Sequence, residues 1–129
     1  MEEKSPNKSE LEILQVLWAK GPLTAREVHD TLSEEKNVRY TTTLKTMQIM
    51  HQREFIGREA SGQTHVYHAL ILQNDTQSVL LDSFLKRAFG GSALRMVMKA
   101  LGNYDASSDE LEEIKKMIEQ KAALKNKKL

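Results

Sequence analysis

The 129-residue chain has no cysteine, only two prolines and six glycines, and few aromatic residues, which make up 5% of its length. The lack of cysteine excludes disulfide bonds, a thiol nucleophile, zinc-finger sites and iron–sulfur clusters. No run of 18 or more apolar residues occurs, and the first ten residues contain no signal-peptide core. We therefore expect a soluble, cytoplasmic protein that makes no contact with a membrane.

The net charge of +1 conceals an uneven distribution of charged residues along the chain. Residues 1–35 carry four lysines and arginines against eight acidic residues, whereas residues 36–68 carry five against two. A basic segment inside a near-neutral chain favours a local contact with a polyanion. Solvated protein surfaces are often basic as well, so charge alone leaves the function open.

Capping signals and apolar spacing predict three helices in the first half of the chain. The pairs Asn7/Glu10 and Thr24/Glu27 are capping boxes that open the first two helices. The third helix is predicted over residues 41–52, where apolar residues recur at helical spacing, and either Tyr40 or Thr41 could be its first residue.

The apolar period then changes from that of a helix to that of a strand. Two β-prone runs, 55–59 and 64–68, flank a turn sequence and predict a hairpin. Three helices followed by a hairpin are the element order of a winged helix-turn-helix, with any small α+β domain as the alternative. We predict a mainly α-helical fold with a small β-wing: a winged-helix domain over residues 1–72 and a helical domain over 73–129.

The second half is predicted to form three short amphipathic helices that end in a basic C-terminal tail. Helices of this size bury their own apolar stripes poorly, so we expect a homodimer that pairs the stripes of two copies. The predicted interface residues on these stripes are Leu81, Phe84, Leu85, Leu94, Val97, Leu101, Leu111, Ile114 and Ile118.

One face of the predicted third helix carries side chains that suit the major groove of DNA. Thr41, Lys45, Gln48 and Gln52 share this face by their spacing, and Thr42 lies beside them. Lysine can bond guanine or a phosphate, glutamine can bond adenine, and threonine can meet a thymine methyl group or a phosphate. An ordinary solvated helix has a similar composition, but the neighbouring helices and hairpin favour DNA binding.

Two residues of the predicted wing, which spans 58–65, are further candidates for DNA contact. Arg58 on the first strand and His65 near the tip could reach the DNA backbone or the minor groove. Each of them also fits an ordinary solvated surface.

Motifs for enzyme chemistry are absent from the sequence. His65 and His68 point to opposite faces of the predicted strand, so they cannot share a metal ion. We expect no catalytic residues, no metal site and no cofactor. A small hydrolase would need a nucleophile and base pair that is not found.

Several sequence blocks together resemble the penicillinase-repressor family of bacteria, which includes the β-lactamase and methicillin-resistance repressors. The blocks are ELEILQVLW, LTAREVHDTL, YTTTLKTMQIM, REASGQTHVYHAL and FLKRAFGGS. The resemblance runs from about Asn7 to Lys121. It implies a homodimeric transcriptional repressor that binds a palindromic operator, typically TACA paired with TGTA, and it implies a sensor protease as a partner.

The resemblance also places residues by position. It implies recognition-helix roles for Thr41, Thr42, Lys45 and Gln48 and wing roles for Arg58 and His65. It also implies dimer-interface roles for Phe84, Leu85, Phe89, Leu94, Val97 and Leu101.

The sequence departs from the family pattern at three points. Ile49 stands where many members have an arginine late in the recognition helix, so one DNA contact of the family is in doubt. Lys99-Ala100 replaces the Asn-Phe bond that is cleaved in antibiotic-responsive members. The paired C-terminal cysteines of copper-responsive relatives are missing.

A second hypothesis belongs to a different functional class. Winged-helix domains also serve as protein-interaction adaptors without specific DNA binding, and the near-neutral total charge favours that alternative.

Overall fold

The computed structural model describes residues 5–127 and confirms the predicted fold class, a winged helix with a helical C-terminal part. The first four residues of the predicted first domain and the end of the predicted basic tail, 128–129, lie outside the described residues. The elements in that range are α1 (Lys8–Lys20), β1 (Leu23–Thr24), α2 (Ala25–Ser33), α3 (Tyr40–Gln52), β2 (Ile56–Ser61), β3 (Thr64–Ala69), α4 (Gln73–Phe89), α5 (Ala93–Asn103) and α6 (Ser108–Lys127).

The predicted capping boxes are present at the first two helices. The Asn7 Oδ1 atom accepts a hydrogen bond from the Glu10 backbone N–H, and the Glu10 carboxylate accepts one from the Asn7 N–H, both at 2.9 Å. Thr24 and Glu27 form the same reciprocal pair at 3.1 and 2.9 Å. These bonds satisfy backbone donors that a helix leaves without partners at its N-terminus.

The sheet contains one strand that sequence analysis did not predict. Its order is β1-β3-β2, with both pairs antiparallel. β1 has only two residues, too few to show a period, and it pairs with Val66 and Tyr67. Thr24 lies in β1 and is also the N-cap of α2, so the start of α2 is attached directly to the wing.

The core of the winged-helix part lies between α1, α2, α3 and the sheet. Each of these three helices contributes apolar side chains at helical spacing, and the sheet contributes residues near the base of the wing. The buried apolar residues are Ile13, Leu14, Leu17, Ala25, Val28, Met47, Met50, Phe55, Ile56 and Tyr67.

α3 ends in a Schellman turn that leads the chain into β2. The backbone N–H of Phe55 donates to the Met50 carbonyl at 2.9 Å, and that of Glu54 donates to the His51 carbonyl at 3.1 Å. Glu54 occupies the left-handed position with φ of 62°, which glycine usually takes. Because Met50 and Phe55 are both buried, the core fixes the direction in which the wing leaves the helix.

A partly buried ion pair joins the residue after α3 to the start of α1. The Arg53 Nη1 atom donates to both carboxylate oxygens of Glu10, at 2.8 and 3.1 Å. The Glu10 side chain is only 3% exposed, whereas that of Arg53 is 47% exposed and lies over the Phe55 ring at 4.3 Å. Glu10 thus serves as a capping residue of α1 and as an anchor for the C-terminal end of α3.

The chain divides into two compact units, the first ending at Ser83 and the second starting at Phe84. The predicted domain division at 72/73 stays a prediction. In the second unit the Ser92 hydroxyl caps α5, and Ser107 and Glu110 form the predicted capping box of α6. No side chain of residues 84–127 is buried in the single chain.

We predict that Glu10→Gln lowers the free energy of unfolding by about 1–3 kcal/mol, because it replaces the charge-assisted contact between Arg53 and the buried Glu10 carboxylate with a neutral one. Urea denaturation followed by circular dichroism at fixed protein concentration measures this change.

Glu12→Gln is the matched control, since Glu12 is 33% exposed and bonds Lys36 at 3.0 Å near the surface. That change should cost roughly 0.5 kcal/mol or less. Equal denaturation midpoints for the two variants would contradict the anchoring role of Glu10.

Candidate nucleic-acid interface

α3 presents a buried face to the core and a polar face to solvent. Thr43, Met47 and Met50 are buried, and the residues on the opposite side of the helix are exposed. The structure thereby brings together on one exposed face the predicted set Thr41, Thr42, Lys45, Gln48 and Gln52. Their side chains are free to reach a groove because none of them is needed for packing.

A hydrogen bond and a ring contact, both made by His29 of α2, connect α2 to α3. The Nδ1 atom of His29 lies 3.1 Å from the buried Thr43 hydroxyl, and its Nε2 atom lies 3.2 Å from the Ser33 hydroxyl. The rings of His29 and Tyr40 also pack in a T-shaped arrangement at a centroid distance of 5.6 Å. Sequence analysis did not identify this contact, since nothing local in the sequence pairs residues of the two helices.

The strand register places both predicted wing residues on one face of the hairpin. Arg58 is opposite Tyr67, and His65 is two residues before Tyr67 on the same strand. Opposite residues of an antiparallel pair and alternate residues of one strand project to the same face. On that face Tyr67 is buried in the core, whereas Arg58 and His65 are exposed.

A cleft of about 250 Å³ lies between the start of α2, the start of α3 and the tip of the wing. Tyr40 and His65 line it together, so the wing tip borders the N-terminal end of α3. Arg26 also lines the cleft, with its guanidinium 3.9 Å from the centre of the Tyr40 ring. Within residues 5–127, the side chains that line this cleft include no carboxylate.

Arg26 is a candidate contact residue that sequence analysis missed. Its position early in α2 carries no motif, and only the tertiary structure brings it next to α3. Within residues 5–127, none of Arg26, Lys45 and Arg58 forms an ion pair, so these cations are available to an external anion.

Most of the predicted dimer residues are exposed in the single chain. Leu85 and Phe89 are partly buried, and Phe84 meets Phe89 edge-on at 5.8 Å. The exposed members are Leu81, Phe84, Leu94, Val97, Leu101, Leu111, Ile114 and Ile118.

In the part of the chain that the structure describes, no three histidine, aspartate or glutamate side chains come together as metal ligands. None of the helices in that range combines the length and the hydropathy needed to span a lipid bilayer.

The arrangement of three helices, a β-wing and an exposed polar third helix defines the chain as a winged helix-turn-helix protein with a helical C-terminal part. The sequence profile of the penicillinase repressor family matches residues 7–120, nearly the whole chain. The protein therefore belongs to the penicillinase repressor family, a family of bacterial transcriptional repressors, and the resemblance seen in the sequence is confirmed.

Three relatives show the extent of this similarity. The penicillinase repressor of Bacillus licheniformis is 30% identical over 116 residues, covering 87% of this chain and 88% of the relative. The penicillinase repressor of Staphylococcus aureus is 22% identical over 110 residues, covering 85% and 87%. The methicillin resistance regulatory protein MecI of S. aureus strain N315 is 20% identical over 113 residues, covering 88% and 92%.

Proposed function

We propose that the protein represses transcription by binding a palindromic operator in double-stranded DNA as a homodimer. The observation that carries this proposal is the exposed polar face of α3, which projects away from the core and contains Lys45 and Gln48. Family membership supports the repressor role. A DNA-bound repressor of this kind works without catalytic residues or a cofactor, and it acts in the cytoplasm, where bacterial DNA lies.

In this proposal α3 enters the major groove and the wing contacts the DNA beside it. Lys45 and Gln48 bond base edges, while Thr41, Thr42 and Gln52 contact bases or phosphates at the two ends of the helix. Arg58 and His65 contact the backbone or the minor groove. The placement of His65 beside the N-terminal end of α3 supports a joint role for helix and wing.

The uncovered apolar residues of the C-terminal helices support homodimerisation. α5 and α6 contain no buried residue, although leucine, isoleucine, valine and methionine recur along them. Exposed apolar surface of this extent marks an interaction site. A second copy supplies the same residues, and a symmetric dimer matches the two halves of a palindromic operator.

A sensor protease is part of the same proposal through the family resemblance. Such an enzyme would have to cleave a bond other than Asn-Phe, because Lys99-Ala100 occupies the corresponding place in α5.

Fluorescence anisotropy with a labelled TACA/TGTA palindrome and a scrambled duplex tests the proposal. We expect the palindrome to be preferred by about 10³-fold or more, with the affinity falling between about 0.05 and 0.2 M salt. Footprinting should show half-sites about one helical turn apart on one face of the duplex.

Weak and equal binding to both duplexes calls for selection from a random-sequence duplex library, which distinguishes a different operator from an adaptor. If that selection also enriches no sequence, the protein is a protein-interaction adaptor and the repressor proposal fails.

We expect Lys45→Ala to weaken binding to the preferred duplex by about 1–3 kcal/mol, since it removes a base contact without disturbing the core. Anisotropy gives the affinity, and circular dichroism verifies folding. Lys116→Ala is the control with the same charge change, because Lys116 lies on α6 and forms only an exposed 3.9 Å ion pair with Glu113. Equal affinities for both variants would remove Lys45 from the interface.

We expect Val97→Glu to convert the dimer to a monomer, because it places a charge on the apolar stripe of α5. Light scattering should then give the monomer mass of 14.7 kDa instead of twice that value. Operator affinity should fall on the order of 10²-fold or more, since half-sites are then bound singly.

Lys99→Gln changes the net charge by the same amount on the opposite side of α5, and it should leave the dimer intact. A Val97→Glu protein that remains dimeric would show that this stripe is not the interface.

A further inference from the structure

One apolar side chain interrupts the polar face of α3. Ile49 is 43% exposed, and among the exposed residues of this helix it alone has no polar group. It does not pack against the hydrophobic core, which accounts for the other apolar residues of α3. Isoleucine is also a weaker helix former than alanine, leucine or glutamine, so helix stability does not explain it.

The neighbours of Ile49 on the helix surface belong to the proposed DNA interface. Lys45 precedes it by one turn, Gln52 follows it by three residues, and Thr42 lies two turns before it, so all four side chains point the same way. Ile49 therefore lies on the same exposed face as the proposed interface residues.

From this position we infer that Ile49 is a specificity-determining residue that reads the C5-methyl group of a thymine in the major groove. The inference rests on the proposed function and adds to it a requirement on the operator: each half-site carries a thymine where Ile49 meets the base edges.

The chemistry favours a thymine over other groups in the groove. Among the base edges exposed in the major groove, the thymine methyl group is the apolar one, whereas the others present hydrogen-bond donors or acceptors. Isoleucine can satisfy none of those polar groups, and pressing it against them would leave them unpaired. A phosphate is equally unsuitable, because Ile49 carries no charge or donor.

The Ile49 side chain is also conformationally restricted before it binds. A β-branched side chain in a helix has one strongly preferred χ1 rotamer, so little conformational freedom is lost on binding. The Arg53 guanidinium, on the residue that follows the last residue of α3, is held by Glu10 and lies over Phe55. The C-terminal end of the helix is thus fixed, which holds Ile49 at a defined depth in the groove.

The test replaces single thymines by deoxyuridine, which removes only the methyl group. A duplex selected from a random-sequence library by the wild-type protein is resynthesised with each thymine changed in turn. Anisotropy then gives the affinity of each duplex for the wild-type protein, for Ile49→Ala and for the conservative variant Ile49→Val. Circular dichroism verifies that the variants fold. The measurements of the wild-type protein on the deoxyuridine duplexes need no variant.

We expect one thymine in each half-site at which deoxyuridine weakens wild-type binding about fourfold, the effect of burying one methyl-sized group. Ile49→Ala should bind the thymine duplex and the duplex with deoxyuridine at that position with affinities within about twofold of each other, because the variant has already lost the methyl contact. Ile49→Val, which keeps the branched methyl groups, should still distinguish them.

Two negative outcomes remain distinguishable. If the selected duplex binds tightly but no thymine shows this coupling to residue 49, the inference is wrong while the repressor proposal stands. If no duplex is enriched in the selection, the proposed function fails and the inference fails with it.

Discussion

The buried carboxylate of Glu10 connects α1, the end of α3 and the start of the wing, on which the proposed DNA-binding surface depends. Through one oxygen it completes the cap of α1, and through both it holds Arg53 at the end of α3. Arg53 in turn covers the ring of Phe55, the first core residue after the Schellman turn. A carboxylate this deeply buried is tolerated only when it is paired, so its ion pair restricts how α1, α3 and the wing can be arranged.

The ion pair acts on α3, whose outer face is the proposed DNA-binding surface. The buried face of α3 is held by the core and by the bond between His29 and Thr43, while the side chains of its outer face are exposed. Such a division suits recognition, because the helix axis is fixed and the side chains can still adjust to base edges. The mixture of Lys45, Gln48 and Ile49 on this face offers charged, amide and apolar groups to a groove.

The C-terminal helices differ from α3, because it is their apolar side chains that are exposed. Their caps at Ser92 and Ser107 define where they begin, but their apolar stripes stay uncovered in the single chain. Capping contributes about 1 kcal/mol per helix, which does not replace the burial of a stripe. We expect the order of this part of the chain to depend on the proposed partner copy, so that its stability and its assembly are coupled.

The sequence by itself determined the features that depend on neighbours along the chain. The capping pairs at Asn7 and Thr24, the buried spacing of α3 and its exposed set from Thr41 to Gln52 all follow from residues a few positions apart. The tertiary structure alone decided the two-residue strand β1, the ion pair between Glu10 and Arg53, and the approach of Arg26 to Tyr40. These contacts join residues 14 to 44 positions apart. A local sequence pattern does not predict them, because the packing of the core determines which distant groups meet.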